Sequence, residues 1–531
     1  MKRARKAAAL LMALVMAASF WALPVGAQNP EEAGLLPIRA LFEEAGATVQ
    51  WQSGEILIEF EGGLIALPAG RPVAYVNGEP VALQVGAVVW GGRSFISEAD
   101  LAAIFAVPIS VEILTEIAYE VIERFATGDI AGMFSMMSAA FQQVVGFETL
   151  IEVFQTILVS QGSFVEWSNS GITVEEAWVT FYFEVVNTIG SSIYRVDVTP
   201  IGEVGTFIAG PFVFMPIPVG EDAGFTAEAV VVGENTLWPL DGILTMPHGA
   251  SEESPVPAVV LVHGSGAHNM DSSIFDNRPF GDIATYLSSN GIAVLRYHKR
   301  AFSHPAAPHP TIWEETVEDA LFAARILQGD PRVCSVFVLG LSLGGMLAPR
   351  IAEEGQLDGA ILFGAPARPL YEVQFDQNLL FITQALEAGL ISEEDAEGLL
   401  AMVQSMLMQA MGIPYMSEEE MQDMLVFGIP AIMHRSVVDS LPIPYIAGNT
   451  IPTLILHGTR DWQVTVENDF SLFLEVEGEF GHVTAILYEG VNHIFMMSQT
   501  TYDDWRDYMP PGSVYEGLLR DIVEWIMNIT R

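Results

Sequence analysis

Cysteine and histidine are scarce in this chain, and their distribution is uneven. The 531 residues include one cysteine, Cys334, and all ten histidines lie at or after His248. A single cysteine excludes a disulfide within the chain. Serine–histidine or cysteine–histidine catalysis needs an imidazole base, so it cannot be assembled from the first 247 residues. The N-terminal part is therefore predicted to be accessory to any such site.

Basic residues are also few. The chain has 22 Lys and Arg against 66 Asp and Glu, which gives a formal net charge of −44. Four of the basic residues lie within the first six positions, which leaves 18 against 66 in the rest. This excess of negative charge repels phosphate, so nucleic acid is not an expected partner. The acidity is interpreted as maintaining solubility outside the cell, and adaptation to a salty environment is the alternative interpretation.

Residues 1–27 have the pattern of a secretory signal peptide. Basic residues precede an apolar stretch from Ala7 to Leu23, and Val25-Gly26-Ala27 provides small residues for cleavage before Gln28. An uncleaved anchor is the alternative interpretation. No later run reaches the roughly 20 apolar residues of a membrane-spanning helix. The mature protein is therefore predicted to be secreted or associated with the cell surface.

Residues 28–108 alternate short strand-like runs with turns, which predicts a small α+β module. Asn77-Gly78 and Gly91-Gly92 are hairpin candidates, and Ser97 with Asp100 has the pattern of a helix start. The segments Pro37–Ala47 and Val49–Trp51 resemble the copper amine oxidase N-terminal domain. A copper site is not expected, because this region has neither His nor Cys. The resemblance implies a stalk or a unit that associates with the cell envelope.

Residues 109–215 are predicted to form a second α+β module. Their first part has an amphipathic helical pattern, and the sequence becomes strand-like from Thr173. The pattern is similar to that of cone-shaped, nuclear-transport-factor-like modules of unknown function. A spacer or dimerising role and a small ligand pocket are the two interpretations. The sequence leaves the oligomeric state open. Prolines and a glycine then mark a linker, at Pro211, Pro216, Pro218 and Gly220.

From residue 221 to 531 strand patterns alternate with helices, which predicts an α/β domain with a doubly wound, mainly parallel sheet. Eight strands are predicted, at 227–232, 242–246, 258–262, 293–297, 335–339, 359–363, 453–456 and 484–488.

The fifth predicted strand runs into Gly340-Leu341-Ser342-Leu343-Gly344, the pattern of a nucleophile elbow. Glycines on both sides of a serine allow a tight turn from strand to helix that exposes the hydroxyl. Ser342 is therefore the candidate nucleophile.

Two further motifs follow later strands and supply partners for Ser342. Asp461 follows the seventh strand, and His493 follows the eighth within Asn492-His493-Ile494-Phe495. The order Ser, Asp, His fits a triad in which Asp461 orients His493, the general base. His482 is the nearest competitor, but it begins a strand and so lies at the other edge of the sheet.

These motifs resemble the α/β-hydrolase superfamily, in particular exported bacterial serine esterases related to serine aminopeptidases and dienelactone hydrolases. Trp462 stands where those esterases carry tyrosine. In the family, the loop matching His263-Gly264-Ser265-Gly266 supplies one oxyanion-hole amide. The resemblance implies that Ser265 and Leu343 donate these amides, with Gly266 as the alternative to Ser265.

The segment Arg296–Arg300 resembles Leu-Arg-Tyr-Asp-Lys-Arg of the family, but His298 replaces the aspartate, so a charge pair made by that aspartate is not carried over. Lys299 is either structural or attracts an anionic substrate. His263 and His457 are interpreted as structural. The histidines at 298, 304 and 309 lack acidic partners at a metal-binding spacing, and no metal or cofactor is expected.

The 84 residues from Pro366 to Asn449 greatly exceed an ordinary strand-to-helix connection. They predict a helical cap at 367–449, with helix starts at Ser392 and Ser417. Eight methionines in this segment line either an adaptable apolar pocket or an ordinary helical core. The run Glu418-Glu419-Glu420 is either a solvated first turn or a site for a peptide amino terminus.

The sequence therefore predicts an exported serine hydrolase that cleaves carboxylic esters of small or medium acyl substrates through an acyl-enzyme. A peptidase, a thioesterase or an acyltransferase would use the same triad. The non-enzymatic alternative is an envelope-binding protein with an inactive hydrolase fold.

Overall fold

The computed structural model describes residues 35–531 apart from a set of short gaps. The gaps are 45–46, 53, 61–62, 70, 85, 91–92, 106–110, 176–177, 200–201, 218–219, 221 and 309. The predicted signal peptide, the Gly91-Gly92 turn, Pro218 and His309 lie outside the described residues. The chain divides into two compact units. The first comprises Met1–Ile157, Phe164–Asn187 and Ser191–Val213, and the second comprises Leu158–Ser163, Thr188–Gly190 and Phe214–Arg531.

The first unit begins with a β-rich module that has two small antiparallel sheets. Its strands are β1 Leu35–Pro37, β2 Thr48–Gln52, β3 Glu55–Phe60, β4 Gly63–Pro68, β5 Val73–Val76, β6 Glu79–Ala82, β7 Val88–Trp90 and β8 Arg93–Ser97, and its helices are α1 Ile38–Glu44 and α2 Glu98–Phe105. One sheet has the order β1-β8-β7 and the other β2-β3-β4-β5-β6. Asn77 and Gly78 form the β5–β6 turn with φ values of 51° and 92°, as a tight hairpin requires.

The remainder of the first unit packs helices against a four-stranded sheet. The helices are α3 Val111–Ala126, α4 Ile130–Met136, α5 Ala139–Val145 and α6 Phe147–Gln161, and the strands are β9 Phe164–Val174, β10 Val179–Asn187, β11 Gly190–Val198 and β12 Val204–Phe214. Helix α3 buries one apolar stripe that includes Leu114, Val121 and Phe125.

The predicted start of the strand region at Thr173 is wrong, because β9 begins at Phe164. Strand β9 lies at the edge of its sheet and is mostly exposed, so it lacks the alternating apolar pattern that marks a strand in sequence.

No single helix in the described part of the chain is long and apolar enough to cross a membrane. The consecutive helices α5 and α6 together have the length and apolar composition of a membrane-spanning segment, but they are bent by 70° relative to each other.

The second unit contains the predicted eight-stranded sheet. Its strands are β13 Phe225–Val232, β14 Leu240–Pro247, β15 Val256–Val262, β16 Ala293–Tyr297, β17 Val333–Leu341, β18 Gly359–Phe363, β21 Thr453–Gly458 and β22 Val483–Tyr488. Their order is β13-β14-β16-β15-β17-β18-β21-β22, and all neighbours are parallel except at β13 and β14. The prediction of a mainly parallel α/β sheet is confirmed. Central strands such as β15 are apolar on both faces because helices cover both sides.

The helices that cover this sheet lie between successive strands, except the last, which follows β22. They are α7 Pro279–Ser289, α8 Arg300–Ser303, α9 Glu318–Gln328, α10 Leu343–Gly355, α16 Ser471–Glu479 and α17 Glu516–Ile529, with π-helical turns at Trp313–Val317 and Val466–Phe470 and a 3₁₀ turn at Trp505–Tyr508. The parallel strands end at one edge, so the loops that follow β15, β17, β21 and β22 share that edge.

The insertion between β18 and β21 is mainly helical, as predicted, but it also contains a short hairpin. Its elements are α11 Leu370–Glu387, α12 Glu393–Gly412, a 3₁₀ turn Ile413–Tyr415, α13 Glu418–Met421, β19 Leu425–Val426, β20 Ile429–Pro430, α14 Ala431–Val438 and α15 Pro442–Gly448. The hairpin turn is Phe427-Gly428, with φ values of 51° and 75°. Phenylalanine rarely adopts positive φ, so Gly428 is the one residue of this turn whose type favours it.

Both predicted helix starts in this insertion are capping boxes. Ser392 pairs with Asp395 and Ser417 with Glu420, although α13 after Ser417 is only four residues long. The methionines divide between the two interpretations. Four belong to the core of the insertion, where Met421 is buried and Met406, Met416 and Met424 pack against it. Three are exposed, namely Met402, Met408 and Met411. The last, Met433, packs against the core of the main domain.

Candidate active site

Ser342 occupies the sharp turn between β17 and α10. Its φ of 55° and ψ of −118° lie in a region that residues with a side chain rarely adopt. Its amide donates to the carbonyl of Phe363 at 2.8 Å, and its carbonyl accepts from the amide of Met346 at 2.9 Å. These bonds hold a strained backbone that would otherwise relax, at a cost of about 1–3 kcal/mol. The side chain stays partly accessible to solvent.

The helix that follows Ser342 approaches the neighbouring strand at Gly344. A Cβ atom at Gly344 would lie 2.3 Å from the carbonyl oxygen of Val262 at the end of β15. Only glycine allows this approach, which brings the start of α10 next to the loop after β15. Leu343, the first residue of α10, is buried at this point.

His493 and Asp461 are brought together at the same edge of the sheet. His493 Nδ1 lies 2.7 Å from Asp461 Oδ2, and both side chains are buried. The other carboxylate oxygen accepts from the amides of Gln463 at 3.0 Å and Val464 at 2.9 Å. The carboxylate is thus fixed on one side by backbone and binds the imidazole with the other. This bond puts the proton on Nδ1 and leaves Nε2 as the acceptor.

Gly364, at the end of β18, lies against this pair. A Cβ atom there would be 3.0 Å from Asp461 Oδ2 and 3.0 Å from His493 Nδ1. Gly364 was not predicted from the sequence. The sequence feature that could have indicated Gly364 is its position directly after the sixth predicted strand, which pairs with the strand that leads to Ser342.

The histidines interpreted as structural have backbone partners. His263 Nε2 donates to the carbonyl of Tyr297 at 2.7 Å, and His457 Nε2 donates to that of Val464 at 2.9 Å. Burial lowers the pKa of both rings, so they are neutral at pH 7. His482 Nε2 lies 3.2 Å from the carbonyl of Ile446, just before β22 and away from the edge that carries Ser342.

The loop after β15 runs beside Ser342. A Cβ atom at Gly264 would be 3.3 Å from the Cβ of Ser342 and 3.9 Å from its Oγ. The peptide that joins Gly264 to Ser265 therefore lies next to the hydroxyl of Ser342. The side chain of Ser265 is exposed, and Gly266 has a φ of 92°.

Lys299 is buried, and its side chain is directed at this loop. Its Nζ donates to the carbonyl of Gly264 at 2.6 Å and forms an ion pair with Glu315. Because the ammonium is buried and already neutralised, the geometry favours the structural interpretation over attraction of an anionic substrate.

His298 replaces the family's aspartate without forming an ion pair in the described structure. Its Nδ1 accepts from the amide of Met270 at 3.0 Å, and its ring stacks on Phe302 at a centroid distance of 4.9 Å. Burial lowers the pKa of His298 to about 4. The neighbouring Arg296 pairs instead with the fully buried Asp271, at 2.7 Å.

Sequence reasoning missed His268, which lies in the loop after β15. Its Nε2 donates to the carbonyl of Ser265 at 2.7 Å. Its position five residues after His263 was the available signal. Among the described residues, no group of three or more His, Cys, Asp or Glu side chains is arranged to hold a metal ion.

Comparison with known proteins finds family matches in two parts of the chain. Residues 259–509 match the model of the alpha/beta hydrolase family, and residues 23–118 match that of the copper amine oxidase N-terminal domain. Both predicted resemblances are confirmed. The likeness of residues 109–215 to nuclear-transport-factor-like modules stays a prediction.

Among curated proteins, Esterase EstD of Thermotoga maritima is 38% identical over 291 residues, which are 54% of this chain and 66% of that protein. The chain thus spans slightly less than two thirds of that relative's length. Among solved structures, Est1E from Butyrivibrio proteoclasticus is 16% identical, with a TM-score of 0.37 over 57% of this chain and 98% of its own. A puromycin-hydrolyzing peptidase of Mycobacterium tuberculosis is 15% identical, with a TM-score of 0.38 over 69% of this chain and 48% of its own.

Proposed function

We propose that this chain, whose residues 259–509 match the model of the alpha/beta hydrolase family, is an exported serine hydrolase of the carboxylesterase type. Its substrates are carboxylic esters with small or medium acyl groups, and the reaction passes through an acyl-enzyme. The similarity to an esterase over 291 residues supports the reaction class.

In this proposal Ser342 Oγ attacks the ester carbonyl while His493 Nε2 takes its proton. Asp461 holds Nδ1–H of His493 and stabilises the imidazolium that forms. His493 then protonates the leaving alcohol, and water attacks the acyl-enzyme by the reverse sequence. The observation that carries the proposal is the 2.7 Å contact between His493 Nδ1 and Asp461 Oδ2 at the edge where Ser342 occupies its strained turn.

The tetrahedral intermediate carries negative charge on the former carbonyl oxygen. We assign the backbone N–H groups of Ser265 and Leu343 to this oxyanion. The closeness of Gly264 to Ser342 and the position of Leu343 at the first turn of α10 support the assignment. Donors of this kind, fixed before the reaction, stabilise the transition state by about 3–4 kcal/mol each.

Labelling with a fluorophosphonate probe tests the proposal. The folded wild type should be labelled at Ser342, whereas Ser342→Ala should not. Ser170→Ala is a matched control, because Ser170 is an exposed serine of the first unit and its loss should leave labelling unchanged. Absence of labelling in folded wild type would contradict the proposal and favour an envelope-binding protein with an inactive hydrolase fold.

A panel of acyl esters of graded length, beside matched amides and thioesters, separates an esterase from a peptidase or a thioesterase. An acyltransferase would be recognised by transfer of the acyl group to an added alcohol in preference to water. The proposal expects the highest kcat/KM on oxygen esters of short or medium chain, and Ser342→Ala should abolish turnover of all of them.

The proposed export and envelope association rest on the N-terminal part. The basic and apolar pattern of residues 1–27 supports export. The match of residues 23–118 marks a module separate from the hydrolase, in which Trp51 is 54% exposed and lines a groove with Arg39 and Arg93. The mature protein should begin at Gln28 and co-sediment with cell-envelope material, and Trp51→Ala should weaken that sedimentation. Retention in the cytoplasm with an intact N-terminus would contradict export.

A further inference from the structure

The ammonium group of Lys299 is bonded to the peptide unit that the proposed oxyanion hole uses. Lys299 Nζ donates to the carbonyl oxygen of Gly264 at 2.6 Å. This carbonyl and the N–H of Ser265 belong to the same amide. A cation on the oxygen end of an amide draws electron density from it and makes the N–H a stronger donor.

The lysine is held for this contact by a buried acid. The side chain of Lys299 is only 3% exposed, and its ion partner Glu315 is 10% exposed. Glu315 lies in the π-helical turn Trp313–Val317, before α9. A buried ammonium is costly unless it is paired, so Glu315 allows Lys299 to stay charged beside the loop. Lys299 is also the only lysine after Lys6.

The same loop is tied at two further points. The backbone N–H of Lys299 donates to the carbonyl of His268 at 3.0 Å, and His268 Nε2 donates to the carbonyl of Ser265 at 2.7 Å. The carbonyls of Gly264 and Ser265 therefore both accept hydrogen bonds. Lys299 binds the loop through both its backbone and its side chain. These bonds leave the peptide little freedom to rotate away from Ser342.

We propose that Lys299 is a positioning residue that fixes and polarises the Gly264–Ser265 peptide, so that the N–H of Ser265 binds the oxyanion more strongly. The inference rests on the proposed function. The oxyanion is present only in the transition state and the tetrahedral intermediate, so the effect falls on kcat and leaves KM nearly unchanged.

The test uses the full chain and the double variant Lys299→Met/Glu315→Gln, which removes the cation without leaving its partner as a buried, unpaired charge. We expect kcat on a short-chain ester to fall roughly 10- to 100-fold, with KM within about 3-fold of wild type. The inhibition constant of a trifluoromethyl ketone, which forms an oxyanion on Ser342, should rise by a similar factor.

The matched control is Arg300→Met/Asp319→Asn. This neighbouring ion pair is also buried, with Arg300 Nε 3.0 Å from Asp319 Oδ2, but neither side chain bonds to the loop after β15 among the contacts described. It should change stability without a comparable loss of kcat. If Lys299→Met/Glu315→Gln does not fold, Lys299→Gln/Glu315→Gln keeps a neutral donor at the carbonyl and should give an intermediate kcat.

The outcomes separate the two proposals. An active wild type whose Lys299 variants keep kcat and trifluoromethyl ketone affinity overturns this inference alone. Equal losses of kcat in the Lys299 and Arg300 double variants also overturn it, because they would indicate a general effect of lost ion pairs. If the wild-type protein shows no turnover, or if its turnover does not depend on Ser342, the proposed function is overturned and this inference falls with it.

Discussion

A Cβ atom placed on Gly340 lies 2.1 Å from the carbonyl carbon of Gly344. These two glycines flank Ser342, so the end of β17 and the first turn of α10 meet backbone to backbone. The contact explains why the turn can be tight enough to hold Ser342 at its positive φ.

Gly340→Ala should therefore destabilise the second unit and reduce activity. The added methyl group meets backbone rather than a flexible side chain, and overpacking of this kind costs about 1–3 kcal/mol or more. We expect a loss of about 3 kcal/mol in the free energy of unfolding, measured with urea. Gly398→Ala is the control, because nothing lies within 4 Å of its Cβ position in α12 and helix propensity should stabilise it by up to about 1 kcal/mol. Equal stability of Gly340→Ala and wild type would contradict the contact.

Asp461→Asn should lower kcat by roughly 10³- to 10⁴-fold while the protein stays folded. The amide no longer fixes the proton on His493 Nδ1, so the wrong tautomer faces Ser342. Steady-state kinetics on one ester and a urea titration measure the two effects. Asp503→Asn is the control, because Asp503 pairs with Arg460 at an exposed position and should leave kcat within about 2-fold. A loss of less than 10-fold in Asp461→Asn would exclude Asp461 from the triad.

His298 should make the protein less stable in acid. Burial outweighs the opposing effect of Asp241 and Asp271 and lowers the pKa of His298 to about 4, below its ordinary value of 6.5. Between these values the unfolded chain binds a proton that the folded chain does not, so stability rises with pH and falls as the pH drops. The difference amounts to about 3 kcal/mol.

His298→Asn keeps an acceptor for the amide of Met270 but does not titrate. Urea titrations at pH 7 and pH 4 should show that wild type loses up to about 3 kcal/mol more than this variant. Other buried histidines act equally in both proteins and cancel. Parallel pH profiles for the two proteins would mean that His298 does not contribute.

The start of the helical insertion is tied to the main domain by Arg368 and Asp469. Asp469 is fully buried and accepts from Arg368 Nη2 at 2.9 Å and from the amide of Ala367 at 3.0 Å. Arg368→Met leaves this carboxylate without its cation and should cost about 3–5 kcal/mol. The double variant with Asp469→Asn should recover part of that loss. Urea titration of the four proteins measures the coupling, and strictly additive effects would show that the pair does not interact.

The sheet could be predicted from sequence because its signals are local. A central strand such as Val256–Val262 is a continuous apolar run, and the residues that end such strands share one edge whatever the loops between them do. That rule is sufficient to group Ser342, Asp461 and His493. It gives no distances, which depend on how each loop is fixed by its own backbone bonds.

What could not be predicted depends on partners distant in sequence. The position of Lys299 follows from its bonds to Gly264 and to Glu315, which belongs to a π-helical turn with no recognised sequence pattern. Likewise, Phe427 turns a hairpin in a conformation that its residue type disfavours, so packing of the insertion rather than local preference determines it.

The position of Cys334 makes the native sequence suitable for attaching a single reporter. This exposed thiol is the sole cysteine, and it lies at the beginning of β17, the strand that ends at Leu341 beside Ser342. At about 3.3 Å per residue, the thiol is roughly 25 Å from Ser342 along the strand. A maleimide dye would therefore label each molecule once, at the opposite end of the central strand from Ser342. Its signal would follow the integrity of the sheet during turnover, with no engineered cysteine needed.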